Sequence, residues 1–309
     1  MKKFNLLVIL TMSVFIAVSQ PAYIKTFGKK EALPLIFLHG GPGYNSANFE
    51  STTAQHLADK GFFVIVYDRR GEGRSEDMSA KFTFQESFDD IMSIYKKFEI
   101  TEAVLVGHGF GGIITSLFTE KFPEKVSALV LLSTPLSIQE YFRNIIKSSN
   151  VIYESKKDTV NLKLLKSVEK MDTLSLTYAS ACFNHTIINR LTSISNPTDE
   201  ARKIYELFRK DSVNIKFVYQ FSYEAPQGFL NNEKYTNLDI SSTLKKLFAA
   251  KKKVFAIYGK EDGTNSVSRV EKMKNIIGAA NVKFLDSCSY NVFIDQQAMF
   301  FESINTWCK

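Results

Sequence analysis

The chain has few of the residues that most often bind metal ions, with four histidines and three cysteines among 309 residues. The histidines, at positions 39, 56, 108 and 185, show no ligand spacing with Asp, Glu or Cys. We therefore expect no metal and no cofactor. Internal repeats and low-complexity linkers are also missing, so a repeat architecture is not indicated.

A concentrated patch of one charge is missing as well. The formal net charge is +7, from 39 basic and 32 acidic residues, but the lysines and arginines are spread along the chain. This distribution is typical of solvated surfaces rather than of a stripe that binds nucleic acid. No nucleic-acid partner is expected.

The N-terminus has the features of a secretory signal peptide. Lys2 and Lys3 precede an apolar run over residues 4–18, and residues 17–19 (AVS) form a small-x-small cleavage pattern. We therefore predict a signal peptide over residues 1–19 and a secreted or periplasmic protein with no stable membrane insertion after its removal. An uncleaved membrane anchor is the alternative, because the run is only slightly shorter than a spanning helix.

The three cysteines permit one disulfide in an oxidising compartment. We favour a pair between Cys182 and Cys288, because Cys308 lies next to the C-terminus. Three unpaired, mostly buried thiols are an equally open alternative.

Apolar runs alternate with amphipathic stretches on both sides of a long helical block. The runs lie at residues 35–38, 62–67, 103–106, 128–132, 254–258 and 282–285. Continuous apolar strands alternating with helices predict an α/β fold with a mostly parallel, doubly wound sheet. The polar, helical block at residues 135–247 predicts a cap inserted into a core made of residues 20–134 and 248–309.

Three loops that follow predicted strands carry glycines and charges. They are residues 39–43 (HGGPG), 67–75 (YDRRGEGRS) and 106–112 (VGHGFGG). Glycines let the first loop turn sharply, and we expect the backbone at Gly41 to present an N–H group to a substrate oxygen. We expect Asp68 and the arginines of the second loop to brace the first loop rather than to react.

The third loop fits the strand-to-helix turn that presents a catalytic nucleophile. Gly109 is its central residue, and the N–H of Phe110 at the helix start would be a second oxyanion donor. Two later loops complete the pattern. Asp262 follows a strand where an orienting acid belongs, and residues 286–293 precede the last helix where a histidine belongs.

These motifs resemble those of proline-iminopeptidase-like α/β-hydrolases from about residue 22 to the C-terminus. The resemblance implies the α/β-hydrolase fold and a triad of Ser, His and Asp. In such relatives the turn resembles G-H-S-F-G-G, and a histidine precedes an N-V-F segment. Serine then aligns with Gly109 and histidine with Tyr290, so Asp262 alone matches the triad.

Both replacements remove essential chemistry. Gly109 has no side chain, so no acyl-enzyme can form there. A tyrosine phenol has a pKa of about 10 against about 6.5 for imidazole, so Tyr290 donates a proton but hardly accepts one at neutral pH. None of the four histidines lies after Asp262, and His185 is the only candidate stand-in.

We therefore predict a secreted, non-catalytic α/β-hydrolase-fold protein that binds a small molecule or peptide in a capped pocket. The two replacements fit a chain that no longer needs the triad or one altered deliberately at both positions. Aromatic and acidic residues of the block are candidates for lining the pocket: Tyr178, Phe183, Tyr223, Glu224 and Tyr235.

Two other functions compete with this hypothesis. The chain could be an active hydrolase of ester, amide or N-terminal peptide bonds that places a water molecule in the space left by Gly109. It could also bind a dinucleotide, since Gly107, Gly109 and Gly112 spell G-x-G-x-x-G. That motif requires an acid at the end of the next strand, where the sequence has only residues 131–134 (LLST).

Overall fold

A computed structural model describes residues 21–218 and 220–309. Seven strands form one sheet in the order β1-β3-β2-β4-β5-β6-β7, in which only β1 runs antiparallel to its neighbour. The strands are β1 (Ile24–Phe27), β2 (Leu33–Leu38), β3 (Phe62–Tyr67), β4 (Ala103–His108), β5 (Val126–Leu132), β6 (Val254–Gly259) and β7 (Val282–Leu285). The predicted, mostly parallel sheet is confirmed.

Both faces of the sheet are covered, because successive residues of each parallel strand enter different cores. Ile36 and Leu38 of β2 belong to one hydrophobic cluster, whereas Leu35 and Phe37 belong to the other. All four side chains are buried. This two-sided burial explains why the strands read as continuous apolar runs in the sequence.

The helices alternate with the strands and then fill the long segment between β5 and β6. They are α1 (Ala47–Phe49), α2 (Gln55–Asp59), α3 (Phe84–Phe98), α4 (Phe110–Lys121), α5 (Ile138–Ser155), α6 (Thr159–Val168), α7 (Leu176–Ile188), α8 (Asp199–Lys210), α9 (Ser212–Val218), α10 (Glu224–Glu233), α11 (Ser241–Ala249), α12 (Val267–Ile277), α13 (Val292–Asp295) and α14 (Gln297–Cys308). A π-helical turn, Glu50–Ala54, joins α1 to α2.

Hydroxyl side chains begin several of these helices. Thr83, Ser137, Ser175 and Thr198 each accept a hydrogen bond from a backbone N–H three residues later. These bonds satisfy N–H groups that have no acceptor inside the helix. The sequence thus sets the starts of α3, α5, α7 and α8 locally.

A helical insertion leaves and re-enters the core at one place. The N–H of Ile138 donates to Leu238 O (3.0 Å), and the N–H of Ile240 donates to Leu136 O (2.8 Å). Beyond this crossing, α11 packs against α4 and α12 of the core. The predicted division at residues 135–247 stays a proposal, and these contacts favour a return to the core near residue 240.

Three sequence predictions concern the termini and the thiols. The signal peptide predicted for residues 1–19 lies outside the described residues. Within residues 21–218 and 220–309, no helix combines the length and the apolar character needed to cross a bilayer. Cys182, Cys288 and Cys308 are all unpaired and buried, so the favoured pair between Cys182 and Cys288 is wrong and the alternative of free thiols holds.

Candidate functional site

The candidate residues gather at the carboxyl edge of the parallel sheet, where the loops after β2, β3, β4, β6 and β7 begin. Gly41 follows β2, Gly109 follows β4, and Asp262 follows β6. Tyr290 lies between β7 and α13. The topology therefore brings distant parts of the chain to one site.

The loop after β2 is held by a buried ion pair from the loop after β3. Arg69 donates through its two terminal nitrogens to His39 O (2.5 Å) and Gly40 O (2.6 Å). It also pairs with Glu72 (2.8 Å), and the Arg69 and Glu72 side chains are 2% and 0% exposed. Glu72 Oε2 in turn accepts the N–H of Gly43 (2.9 Å). We call residues 39–45 and 68–75 the braced loops.

Gly41 could not be replaced within the braced loops. Its φ is +119°, which side chains rarely adopt, and an added Cβ would lie 2.9 Å from Arg69 Nη2. The same guanidinium that fixes the loop therefore requires glycine at this position.

His39 orders the braced loops and does not act as a base. Its Nε2 accepts the N–H of Arg69 (3.0 Å), and its Nδ1 lies 2.9 Å from Gly40 O. Burial first, and then the positive charge of Arg69, hold the pKa of His39 well below its usual value. The ring is neutral, with Nδ1 as the donor.

Asp68 also holds the braced loops together through hydrogen bonds. Its Oδ1 accepts both the N–H and the hydroxyl of Ser46 (2.8 and 2.7 Å). Its Oδ2 accepts the N–H and Nε of Arg74 (2.9 and 2.7 Å). These contacts agree with the bracing role expected for this segment.

The turn between β4 and α4 has an unusual backbone at Gly109, the residue predicted to stand at the nucleophile position. Gly109 has φ +52° and ψ −117°, outside the regions that other residues readily adopt. A Cβ built on Gly109 would lie 2.0 Å from the hydroxyl oxygen of Tyr290 and 3.1 Å from its Cζ. The tyrosine hydroxyl thus takes the space into which a side chain at position 109 would project.

Tyr290 is fixed by its backbone rather than by its hydroxyl. Its carbonyl accepts hydrogen bonds from Ser133 Oγ (2.9 Å) and His108 Nε2 (3.1 Å), and its ring packs 4.2 Å from the His108 ring. Among the described residues, no group forms a hydrogen bond with the Tyr290 hydroxyl. Burial raises the pKa of Tyr290 well above 10, so the phenol is protonated.

Asp262 is buried and is turned toward its own loop. Its Oδ1 accepts the N–H and hydroxyl of Thr264 (2.9 and 2.6 Å), and its Oδ2 accepts Asn265 Nδ2 (2.6 Å). Burial raises its pKa. No hydrogen bond joins Asp262 to Tyr290 in the described part of the chain.

The remaining backbone donor, the N–H of Phe110, belongs to the first residue of α4 and has no acceptor inside the helix. The Phe110 ring packs against two rings of the insertion, Phe229 (5.1 Å) and Tyr235 (5.8 Å). The insertion also bonds to the first braced loop, since Ser222 N donates to Gly43 O (2.9 Å). Helix α10 and the segments beside it thus contact the loops at the candidate site.

The residues predicted to line a pocket under the insertion lie in different environments, some buried and some exposed. Tyr235 contacts Phe110 and Tyr178 is buried, whereas Tyr223 is 82% and Phe183 41% exposed. Glu224 lines an open groove of about 620 Å³ between α10 and residues 80–83. A second concavity, of about 380 Å³, lies between α5 and residues 261–263. Neither concavity is lined by the residues predicted for the catalytic site, which are Gly41, Gly109, Phe110, Asp262 and Tyr290.

The other histidines do not supply a base. His185 is hydrogen-bonded to the Tyr153 hydroxyl inside the insertion (2.7 Å), and His56 is exposed on α2. His108 is buried, and burial lowers its pKa to about 4. Across residues 21–218 and 220–309, no three His, Cys, Asp or Glu residues form a group that could hold a metal ion.

Two residues near Asp262, namely Arg269 and Tyr141, were not indicated by the sequence. Arg269 is 7% exposed and donates to Thr264 O (2.8 Å), whereas its Nε and Nη2 have no hydrogen-bond partner among the described residues. Its guanidinium lies over the Tyr141 ring (5.7 Å). Only α5 and α12 packing together creates this contact, so no local pattern could have indicated it.

Comparison with known proteins agrees with this architecture. A family model described as "alpha/beta hydrolase fold" matches residues 34–296. A proline iminopeptidase of Thermoplasma volcanium is 32% identical over 123 residues, which are 38% of this chain and 41% of that protein. A proline iminopeptidase of Arabidopsis thaliana is 29% identical over 35% of this chain and 28% of its own length. The chain therefore matches less than half the length of these relatives.

Solved structures match over nearly the whole chain. A proline iminopeptidase-related protein from Thermus thermophilus has a TM-score of 0.67 with 22% identity, covering 93% of this chain and 94% of that one. An N-acyl homoserine lactone degrading enzyme, Est816, has a TM-score of 0.60 with 17% identity, covering 92% and 96%. At these identities the likeness concerns the fold.

Proposed function

The chain belongs to the α/β-hydrolase fold family, and we propose that it is a secreted, non-catalytic member that binds a small molecule or peptide. Its relatives include peptidases and esterases. In this proposal Gly109 stands at the nucleophile position, Tyr290 at the histidine position and Asp262 at the acid position. Gly41 and Phe110 keep the positions of the two oxyanion donors.

One observation carries the proposal: the Tyr290 hydroxyl lies 2.0 Å from where a Cβ on residue 109 would be. A serine there would overlap that hydroxyl, so the two replacements fit each other sterically. Loss of a nucleophile alone would leave an open space. The filled space argues for a coupled loss of the reaction rather than for a water molecule acting in place of serine.

The state of the remaining groups supports the same conclusion. A protonated phenol cannot take a proton from a nucleophile at neutral pH. The carboxylate of Asp262 is bonded to Thr264 and Asn265 instead of to a base. The N–H of Phe110 would still favour an oxygen ligand, and such a group alone gives weak catalysis at best.

The experiment that tests this proposal restores the triad. We expect the double variant Gly109→Ser/Tyr290→His to hydrolyse a chromogenic ester or an aminoacyl amide, with little activity in either single variant. Gly109→Ser alone should fail because the Tyr290 hydroxyl blocks the serine. Adding Asp262→Asn to the double variant should remove the activity, which identifies the acid.

Measurements on the unmodified protein give the results that would contradict the proposal. A stoichiometric adduct with a serine-reactive phosphonate, detected by mass spectrometry, would contradict the non-catalytic proposal. Turnover that survives rigorous purification and disappears in Asp262→Asn would establish the competing active hydrolase instead. An inert double variant combined with such turnover would show that the alignment of the site is wrong.

Secretion is the second part of the proposal, and it rests on residues 1–19. Expression with and without these residues, followed by fractionation and mass determination of the N-terminus, tests it. We expect an exported product that begins after residue 19. An exported product that retains residues 1–19 would indicate an uncleaved anchor.

A further inference from the structure

A second concavity is lined partly by the insertion and by neither Gly109 nor Tyr290. It has a volume of about 380 Å³ and is lined by residues of α5, of the segment 189–195 after α7, and of the loop 261–263 after β6. We call it the side cleft. Its volume falls in the range of small-molecule sites. Nothing in the catalytic pattern accounts for it.

The walls of the side cleft are tied together through Gly263. Ser148 Oγ and Asn144 Nδ2 both donate to Gly263 O (2.7 and 3.0 Å). The N–H of Gly263 donates to Leu191 O (2.8 Å). Because α5 and both loops share these bonds, the side cleft is formed before any ligand arrives.

Positive charge predominates in the side cleft. Lys147 and Arg190 line it, and within the described part of the chain neither forms an ion pair. The single acid that lines it, Glu261, accepts the N–H of Ser195 (3.2 Å). Two cations against one acid leave the cleft complementary to one negative charge.

Apolar surface lies beside these charges. Val151, Ile152 and Leu191 line the same cleft, and Val151 is 58% exposed. A ligand that covered Val151 would remove apolar surface from water, which favours binding. An inorganic anion would leave this surface uncovered.

We propose that the side cleft binds a monoanion with an apolar body, namely a carboxylate attached to an aliphatic group. Lys147 and Arg190 bind the carboxylate, and Val151 and Ile152 contact the aliphatic group. Both a fatty acid and the free C-terminus of a peptide that ends in an apolar residue have this chemistry. The inference does not depend on whether Gly109 and Tyr290 are catalytic, because its readout is binding alone.

Isothermal titration calorimetry with matched probes tests the proposal. Octanoate is compared with octanamide, and acetyl-Ala-Leu with its C-terminal amide. We expect at least one acid to bind about tenfold more tightly than its neutral partner, the effect of one charge-assisted contact. Octanoate binding alone identifies a fatty acid as the source, and acetyl-Ala-Leu binding alone identifies a peptide.

Three variants locate the bound probe. Lys147→Met and Arg190→Met should each weaken acid binding by about tenfold, because each removes one charged contact. Lys156→Met is the matched control, since Lys156 directly follows the last residue of α5 but does not line the side cleft. It should bind like the unmodified protein. All three side chains are exposed, so circular dichroism should show unchanged folding.

Several results would overturn the proposal. They are equal binding of acid and amide, unchanged binding in both Lys147→Met and Arg190→Met, or no binding of any probe at millimolar concentration. Competition by inorganic phosphate as effective as that by octanoate would also refute it, because the apolar wall would then contribute nothing.

Discussion

The braced loops and the positions 109 and 290 lie at the same edge of the sheet but satisfy their polar groups in opposite ways. In the braced loops, Arg69 and Glu72 are buried and hydrogen-bonded to the backbone that they hold. At positions 109 and 290, by contrast, a glycine faces a tyrosine hydroxyl that has no hydrogen-bond partner among the described residues.

This difference separates what the fold requires from what the reaction would require. A buried ion pair cannot lose one member without leaving an unpaired charge, so the braced loops resist change whatever the protein does. The fold does not depend in the same way on a nucleophile and its base. In our proposal, Gly109 and Tyr290 therefore replace a nucleophile and its base while the scaffold stays intact.

The largest expected effect is the loss of one charge in the braced loops. Glu72→Gln leaves the Arg69 guanidinium buried without its partner and should lower the free energy of unfolding by about 3–5 kcal/mol. Denaturant unfolding measures this change. Asp199→Asn, which breaks an exposed pair with Arg202, is the matched control and should cost less than about 1 kcal/mol. Equal losses in both variants would refute the bracing argument.

The next effect concerns His108, whose pKa in the folded protein is lowered to about 4 from 6.5 by burial. Between these values the unfolded chain binds a proton that the folded chain excludes. The free energy of unfolding therefore falls as the pH drops through this window, by up to about 3 kcal/mol from this group.

His108→Gln should remove this pH-dependent loss. As the pH drops from 7.5 to 4, the free energy of unfolding of the variant should therefore rise relative to that of the unmodified protein. Denaturant unfolding at both pH values measures the difference. His56→Gln, which removes an exposed histidine, is the matched control. If the His108→Gln and unmodified proteins lose equal stability over this range, the buried ring is not the cause.

A smaller effect is expected from the steric conflict at position 109. Gly109→Ser places a Cβ at φ +52° and against the Tyr290 hydroxyl, and it should cost about 1–3 kcal/mol. Tyr290→His in the same chain should recover part of this loss. A double-mutant cycle by thermal unfolding measures the coupling, and independent, additive effects would show that the two residues do not compete for space.

The smallest effect is expected from Tyr290→Phe. The hydroxyl forms no hydrogen bond with a described protein group, so its removal should change the free energy of unfolding by less than about 0.5 kcal/mol. A loss above about 1.5 kcal/mol would mean that the hydroxyl has a bonding partner in solution.

Much of the architecture could be predicted from local pattern. Six strands were indicated because both faces of the parallel sheet are buried, and each appears as an apolar run. The edge strand β1 was missed, because its two central residues, Lys25 and Thr26, are exposed and polar. A separate short helix, α13, precedes the last helix, α14, and the sequence did not indicate it.

The site was predictable only in part. The motifs predicted that the loops after β2, β3 and β4 belong to the site, because the glycine and charge patterns there reflect local requirements of the backbone. The side cleft was not predicted. Its walls come from α5 and from loops at residues 189–195 and 261–263, which only the packing of the insertion brings together.

The sequence by itself determined the alternation of strands and helices, the glycine-rich turns, and the absence of a nucleophile and an imidazole at positions 109 and 290. Those properties depend on residue type and on spacing along the chain. Only the tertiary structure decided that the Tyr290 hydroxyl occupies the space beside Gly109 and that the insertion seals Phe110. Such contacts join residues far apart in sequence, and steric fit between them has no local signature.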